Sequence, residues 1–144
     1  MYYNPFDISK YTDEQLVKHI EKLLKECDDT SENATDLAED VLRLSDVLYI
    51  YGELQTRTSK EYSLVKYQNG IKEIKLAHEL KSKSDEKAAA SYFSALAQEQ
   101  MVIDYMRETE LKANVDRYKL AYDATQEKIN AIKKKIDSKR YEFN

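Results

Sequence analysis

The sequence predicts an all-α protein: an elongated helical hairpin with coiled-coil-like seams, preceded by a short N-terminal helix and assembled into an oligomer. Three observations predict it. Only two glycines and one proline occur in 144 residues, so few positions can host the tight turns that β architectures need. Charged residues make up 35% of the chain and hydrophobic residues 42%, the balance of amphipathic helices with one apolar stripe and a broad solvated face. Apolar residues also recur three and four apart over long stretches, the period of a helix face.

Two parts are expected, an N-terminal arm with a short acidic helix over residues 1–30 and the hairpin over 31–144. Residues 1–11 hold the one proline and several tyrosines, an irregular arm whose Tyr2, Tyr3 and Phe6 are suited to docking on another subunit. Thr12 and Gln15 form a capping box, with Asp13 and Glu14 complementing the helix dipole. The helix that follows spans about 13–27 and carries Leu16, Ile20, Leu23, Leu24 and Cys27 on one face. That spacing explains Cys27 as a packing residue.

Residues 28–33 have turn and cap chemistry, and a long helix is expected to begin between Asn33 and Thr35. Its stripe runs through Leu37, Val41, Leu44, Leu48, Tyr51, Thr58, Tyr62 and Val65, broken by Gln55. Gly52 and Gly70 fall inside it, marking bends or the close approach of a neighbouring backbone. Residues 81–86 interrupt the pattern, with Ser84 as N-cap and Asp85 and Glu86 in the first turn of a last helix over about 85–140. No glycine or proline stops that helix, and its continuity stays open, with a break around Glu108 to Asn114 as the alternative. Its distal stripe, Val115, Tyr118, Tyr122, Thr125, Ile129, Ile132 and Ile136, alternates spacings of three and four.

At about 1.5 Å rise per residue such helices reach roughly 70 to 80 Å. A hairpin that thin leaves apolar stripe exposed, so Tyr118, Tyr122, Ile129, Ile132 and Ile136 are assigned to self-association.

Cys27 is the single cysteine, which excludes an intrachain disulfide framework and fits a reducing, cytoplasmic compartment. The first residues lack the pattern of a secretory leader, and no run approaches the roughly 18 apolar residues of a membrane span. There is no phosphate-binding glycine loop, no metal-ligand spacing and no nucleophile–base arrangement. His19 and His78 stand alone in helical contexts. A non-enzymatic protein without cofactor or metal is expected, acting through its surfaces.

Net charge is −4, but the halves differ. Residues 1–56 hold five Lys/Arg against thirteen Asp/Glu, a balance of −8, and residues 57–144 carry +4. Contact with a polyanion therefore belongs to the rear. Between Arg57 and Lys87, basic residues interleave with an aromatic ring, and Lys66, Tyr67, Lys72, Lys75, Lys81 and Lys83 are the candidate nucleic-acid contacts. Glu61, Glu73 and Glu79 interrupt this track. A second basic cluster, Lys128, Lys133, Lys134, Lys135, Lys139 and Arg140, doubles as a complement to the helix C-terminus. Tyr51, Tyr62, Tyr118 and Tyr122 sit on stripes and read as packing, Tyr67 as an exposed ring.

The stretch from Tyr51 to Leu80, the hydrophilic turn after it and a last helix holding Asn130-Ala131-Ile132-Lys133-Lys134-Lys135 resemble the UvsY-type recombination mediators of T-even-like phages. The likeness covers about residues 47–143. It implies a ring-like homo-oligomer in the host cytoplasm that binds single-stranded DNA and helps a RecA-like recombinase replace the single-strand-binding protein. The family's DNA-contacting segment would fall near Lys72, Lys75 and Lys81, although Gly70, His78 and Glu79 depart from the pattern. Two other readings stay open: a helical scaffolding or adaptor protein acting only through protein–protein contacts, and a small inhibitor whose acidic front half mimics DNA.

Overall fold

The computed structural model describes residues 7–27, 32–84 and 87–142, the last two by backbone alone. The expected docking arm of Tyr2, Tyr3 and Phe6, the loop at 28–31 and the first-turn role of Asp85 and Glu86 lie outside the described residues. Among the described residues, four α-helices and one 3-10 turn follow in order: the turn at Ile8–Lys10, α1 at Asp13–Glu26, α2 at Ala34–Lys83, α3 at Ala90–Gln100 and α4 at Val102–Glu142. No strand occurs among the described residues.

Local chemistry sets the helix starts. Thr12 Oγ1 accepts from the Gln15 backbone N–H at 3.2 Å and Gln15 Oε1 accepts from that of Thr12 at 2.9 Å, completing the capping box of α1. At the head of α2, Asn33 Oδ1 accepts from the Thr35 N–H at 2.8 Å and the Asn33 carbonyl accepts from Leu37 N–H. The three side-chain bonds satisfy donors that the first turn cannot pair internally.

The chain divides into two compact units, one of Met1–Thr56 with Arg117–Asn144 and one of Arg57–Asp116.

In the first unit, Leu16, Ile20 and Leu23 of α1 bury against Val47, Ile50 and Leu54 of α2, with Ile8 in the same cluster and Val17, Tyr51 and Tyr118 at its edge. A second cluster joins Leu37 and Leu44 of α2 to Ile129 and Ile132 of α4, flanked by Cys27, Val41, Leu48 and Ile136. α2 thus serves α1 and α4 with two stripes at once. The stripe for α4 is legible as one heptad; the stripe for α1 overlaps it and is masked by it. Neither glycine has a positive φ. A Cβ on Gly52 would stand 3.6 Å from the Tyr122 ring, and one on Gly70 would meet nothing within 4 Å. The expected approach of a backbone to Gly52 is thus made by a side chain, at a distance an alanine tolerates.

Polar contacts frame this core. The Asp40 carboxylate is buried and Arg43 Nη1 lies 2.9 Å from it; Arg43 also reaches Glu39 at 3.5 Å and Glu26 of α1 at 3.7 Å. Lys139 and Lys135 of α4 both pair with Glu32 before α2, the latter at 3.8 Å.

In the second unit, Val65 of α2 and Phe93, Ala97 and Met101 are buried, together with the polar Thr58 and Asn69. Here α2 and α4 are joined by polar groups. Asn69 Nδ2 donates to the Asp104 carbonyl at 3.1 Å and to Glu108 Oε1 at 3.4 Å, Lys72 pairs with Asp104 at 2.9 Å, and Arg107 with Glu61 at 3.2 Å. Burial pushes the Tyr105 hydroxyl above its usual pKa, and its hydrogen bond to Glu73 adds to the shift.

The last helix is not continuous, and its break is not between Glu108 and Asn114. It starts at Ala90, beyond Ser84, and is interrupted at Met101, whose φ of −104° and ψ of 16° depart from helical geometry. The Met101 N–H bonds back only three residues, to Gln98, while Tyr105 N–H resumes the four-residue pattern on the Met101 carbonyl. Phe93, Ala97 and Met101, four apart, form the buried line of α3. A line of fours drifts round a helix of 3.6 residues per turn, and the tightened turn at Met101 ends that line while keeping the thioether buried. No glycine or proline signals it.

Candidate nucleic-acid and assembly surface

Within the second unit, Lys60, Leu64, Tyr67, Ile71, Ile74, His78 and Lys81 follow spacings of four and three along α2, so they share one face. No acid stands in that line. All are exposed except the half-buried Ile71, with Tyr67 69% and Ile74 71% exposed. Two shallow grooves flank the line. One, of 550 Å³, is lined by Tyr62, Ser63, Lys66, Tyr67, Gly70 and Ile74 together with Ile71. The other, of 420 Å³, is lined by Gln68, Ile71, Lys72, Lys75, Leu76 and Glu79.

The six residues expected to contact nucleic acid are all exposed, but they do not form one track. Lys75 lines the second groove and Lys81 ends the α2 line. Lys66 Nζ sits 5.8 Å from the centroid of the Tyr62 ring, a cation–π distance, beside exposed Tyr67. Lys72 lines the second groove beside Lys75 but is bound to Asp104 of α4. Lys83 is the final residue of α2, where positive charge also suits the helix dipole.

The residues assigned to self-association go elsewhere. Ile129 and Ile132 are buried by α2 of the same chain, Ile136 flanks them, Tyr118 edges the α1 cluster and Tyr122 lies over Gly52. A heptad reads identically whether its seam faces another copy or another helix of its own chain. In the second basic cluster, Lys135 and Lys139 are engaged by Glu32.

Sequence reasoning missed a second outward surface. Tyr92, Ala95 and Glu99 on α3, then Val102, Ile103 and Met106 opening α4, are exposed, Ile103 at 83% and Met106 at 66%. From Ala88 to Ile103 the single charged residue is Glu99. That depletion, in a chain so rich in charge, was the available signal.

No helix among the described residues is long and apolar enough to cross a membrane, and no cluster of His, Cys, Asp or Glu among them could hold a metal ion. Comparison with known protein families, curated proteins and solved structures finds no match.

Proposed function

We propose that the protein is a non-enzymatic mediator that takes single-stranded DNA along the outer face of α2 in its second unit and acts as an assembly of copies, serving a recombinase and its single-strand-binding protein as the resemblance to UvsY-type proteins implies. The observation that carries this reading is the acid-free line from Lys60 to Lys81 with exposed Tyr67 and the groove beside it. Lysines offer point charges to phosphates, and a tyrosine ring stacks on any base, so the face favours a strand without selecting its sequence. Lys66, Tyr67, Lys75 and Lys81 are the contacts; Lys72 positions α4.

Binding of a labelled oligothymidylate across a salt series tests this. Each phosphate contact removed should flatten the log-affinity against log-salt slope by about 0.7. Lys66→Ala, Lys75→Ala and Lys81→Ala together should lower both affinity and slope, and Tyr67→Ala should cost about 1 to 3 kcal/mol of binding with little change in slope. A wild-type protein that binds no strand at low salt overturns the reading.

A second reading, a scaffold or adaptor acting only through protein contacts, is favoured by one observation. The second unit exposes Leu64, Tyr67, Ile74, Tyr92, Val102, Ile103 and Met106, more large apolar side chains than it buries among its described residues. Surfaces of that kind mark contacts with other macromolecules.

A further inference from the structure

We infer that Gly70 is the seat of one unpaired base of the strand, stacked between Tyr67 and Ile74, and that this seat sets single strands apart from duplex; the inference rests on the strand reading proposed above. The glycine itself points to it. Glycine is among the least favourable residues inside a helix, and the usual reasons for one are missing at Gly70: its φ is not positive, and a Cβ there would meet nothing within 4 Å. Gly52, by contrast, has the Tyr122 ring over it. The space beside Gly70 opens outward instead, into the 550 Å³ groove. Bare backbone in such a place admits a ligand that a side chain would exclude.

The walls suit a base. Tyr67, 69% exposed, and Ile74, 71% exposed, stand on either side of Gly70 along α2. They are about 10 Å apart along the axis at 1.5 Å per residue. A base lying between two stacked surfaces needs roughly 7 Å, twice the 3.4 Å step of stacked bases.

The charges suit a phosphate backbone. At the Tyr62 end of the groove, Lys66 of α2 and Lys112 of α4 approach the same ring, at 5.8 and 6.0 Å from its centroid. Lys112 also holds Asp116 at 3.0 Å, so Lys66 is the stronger partner for a phosphate. No acid stands among the described lining residues. The acids along this part of α2 are engaged or placed elsewhere: Glu61 pairs with Arg107, Glu73 accepts from Tyr105 of α4, and Glu79 lines the other groove. A duplex keeps its bases stacked on one another and offers this slot nothing but phosphate.

Binding of the full chain to a labelled oligothymidylate, an abasic strand of equal length and a duplex tests the seat, with circular dichroism and sedimentation velocity alongside. Wild type should prefer the oligothymidylate to the abasic strand by roughly 5-fold or more, the lower end of what one stacked base contributes. Gly70→Leu should fill the slot and abolish that preference. Its salt slope and its duplex binding should match wild type, because no phosphate contact is removed. Its helicity and denaturant midpoint should hold or rise, since leucine favours a helix more than glycine does; a damaged fold would show neither. Ile74→Ala removes one wall and should reduce the preference at the same slope, and it decides alone if Gly70→Leu loses helicity. An unchanged preference in the folded variant overturns the seat. So does a Gly70→Leu protein that leaves an assembly while binding the strand as before, which would give the slot to a second copy. Wild type that binds both strands equally retires the seat and leaves the strand reading standing; wild type that binds neither at low salt retires both.

Discussion

The Asp40 carboxylate, 1% exposed, is held 2.9 Å from the Arg43 guanidinium one turn along α2, and the same guanidinium reaches Glu26 at 3.7 Å to tie α1 to α2. Removing Arg43 leaves a buried charge without that partner. Breaking such pairs costs roughly 3 to 5 kcal/mol, and since Arg43 keeps some solvent contact the lower end applies. Arg43→Ala should therefore destabilise clearly more than Glu39→Ala, whose carboxylate is exposed; urea unfolding of the two checks the order.

Deletion of residues 1–30 should weaken the first unit. It removes Leu16, Ile20 and Leu23 from contact with Val47, Ile50 and Leu54, each side chain worth at most about 1.5 to 3 kcal/mol of burial. The truncated chain is expected to melt earlier and to bind a hydrophobic dye. An unchanged melting curve would show that α1 is separable, as its own cap and acidic charge suggest when the sequence is read alone.

Ile132→Asp should act on the fold before it acts on any assembly. Ile132 is buried among Leu37, Leu44 and Ile129, so an aspartate there becomes an unpaired charge in the core. Loss of helicity at unchanged protein concentration is the expected signature, with Leu64→Ala on the exposed face within about 0.5 kcal/mol of wild type as a control.

Both glycines should be replaceable. Gly52→Ala and Gly70→Ala place a Cβ at ordinary contact distance or in open space, and alanine gains up to about 1 kcal/mol of helix propensity over glycine. Raised denaturant midpoints are expected, and Gly52→Leu, driven into the Tyr122 ring, should reverse the gain.

Burial lifts the Asp46 carboxyl above its usual pKa, opposed by the charge of His19. A carboxyl raised in the fold holds its proton more tightly there than in the unfolded chain, so its contribution to stability is lost as pH rises from the unfolded value through the folded one. Asp46→Asn removes that loss. Unfolding measured from acid to neutral pH should show a smaller decline for the variant than for wild type.

Much of the first unit was legible because its signals are local or singly periodic. Thr12 and Gln15 announce α1, Asn33 announces α2, and the stripe through Leu37, Val41, Leu44 and Leu48 marks the seam that faces α4. The rest was hidden by physics that spacing does not encode. Val47, Ile50 and Leu54 form a second stripe superposed on the first. Met101 interrupts the helix with no glycine or proline beside it, and Asn69 and Asp40 are polar residues buried because partners distant in sequence or close by satisfy them. Of the candidate site, exposure of Tyr67 was readable from its place off the stripe. The engagement of Lys72 by Asp104, 32 residues on, was not.

The second unit is one uninterrupted stretch of chain, whereas the first joins its beginning to its end, with Leu37 and Leu44 waiting on Ile129 and Ile132. During synthesis, Arg57–Asp116 can therefore settle as it emerges, while the earlier residues must remain incompletely packed until the final helix has left the ribosome. Contacts so distant in sequence form slowly, and a ribosome stalled before Arg117 would hold a nascent chain whose α2 presents bare Leu37 and Leu44 to the chaperones around it.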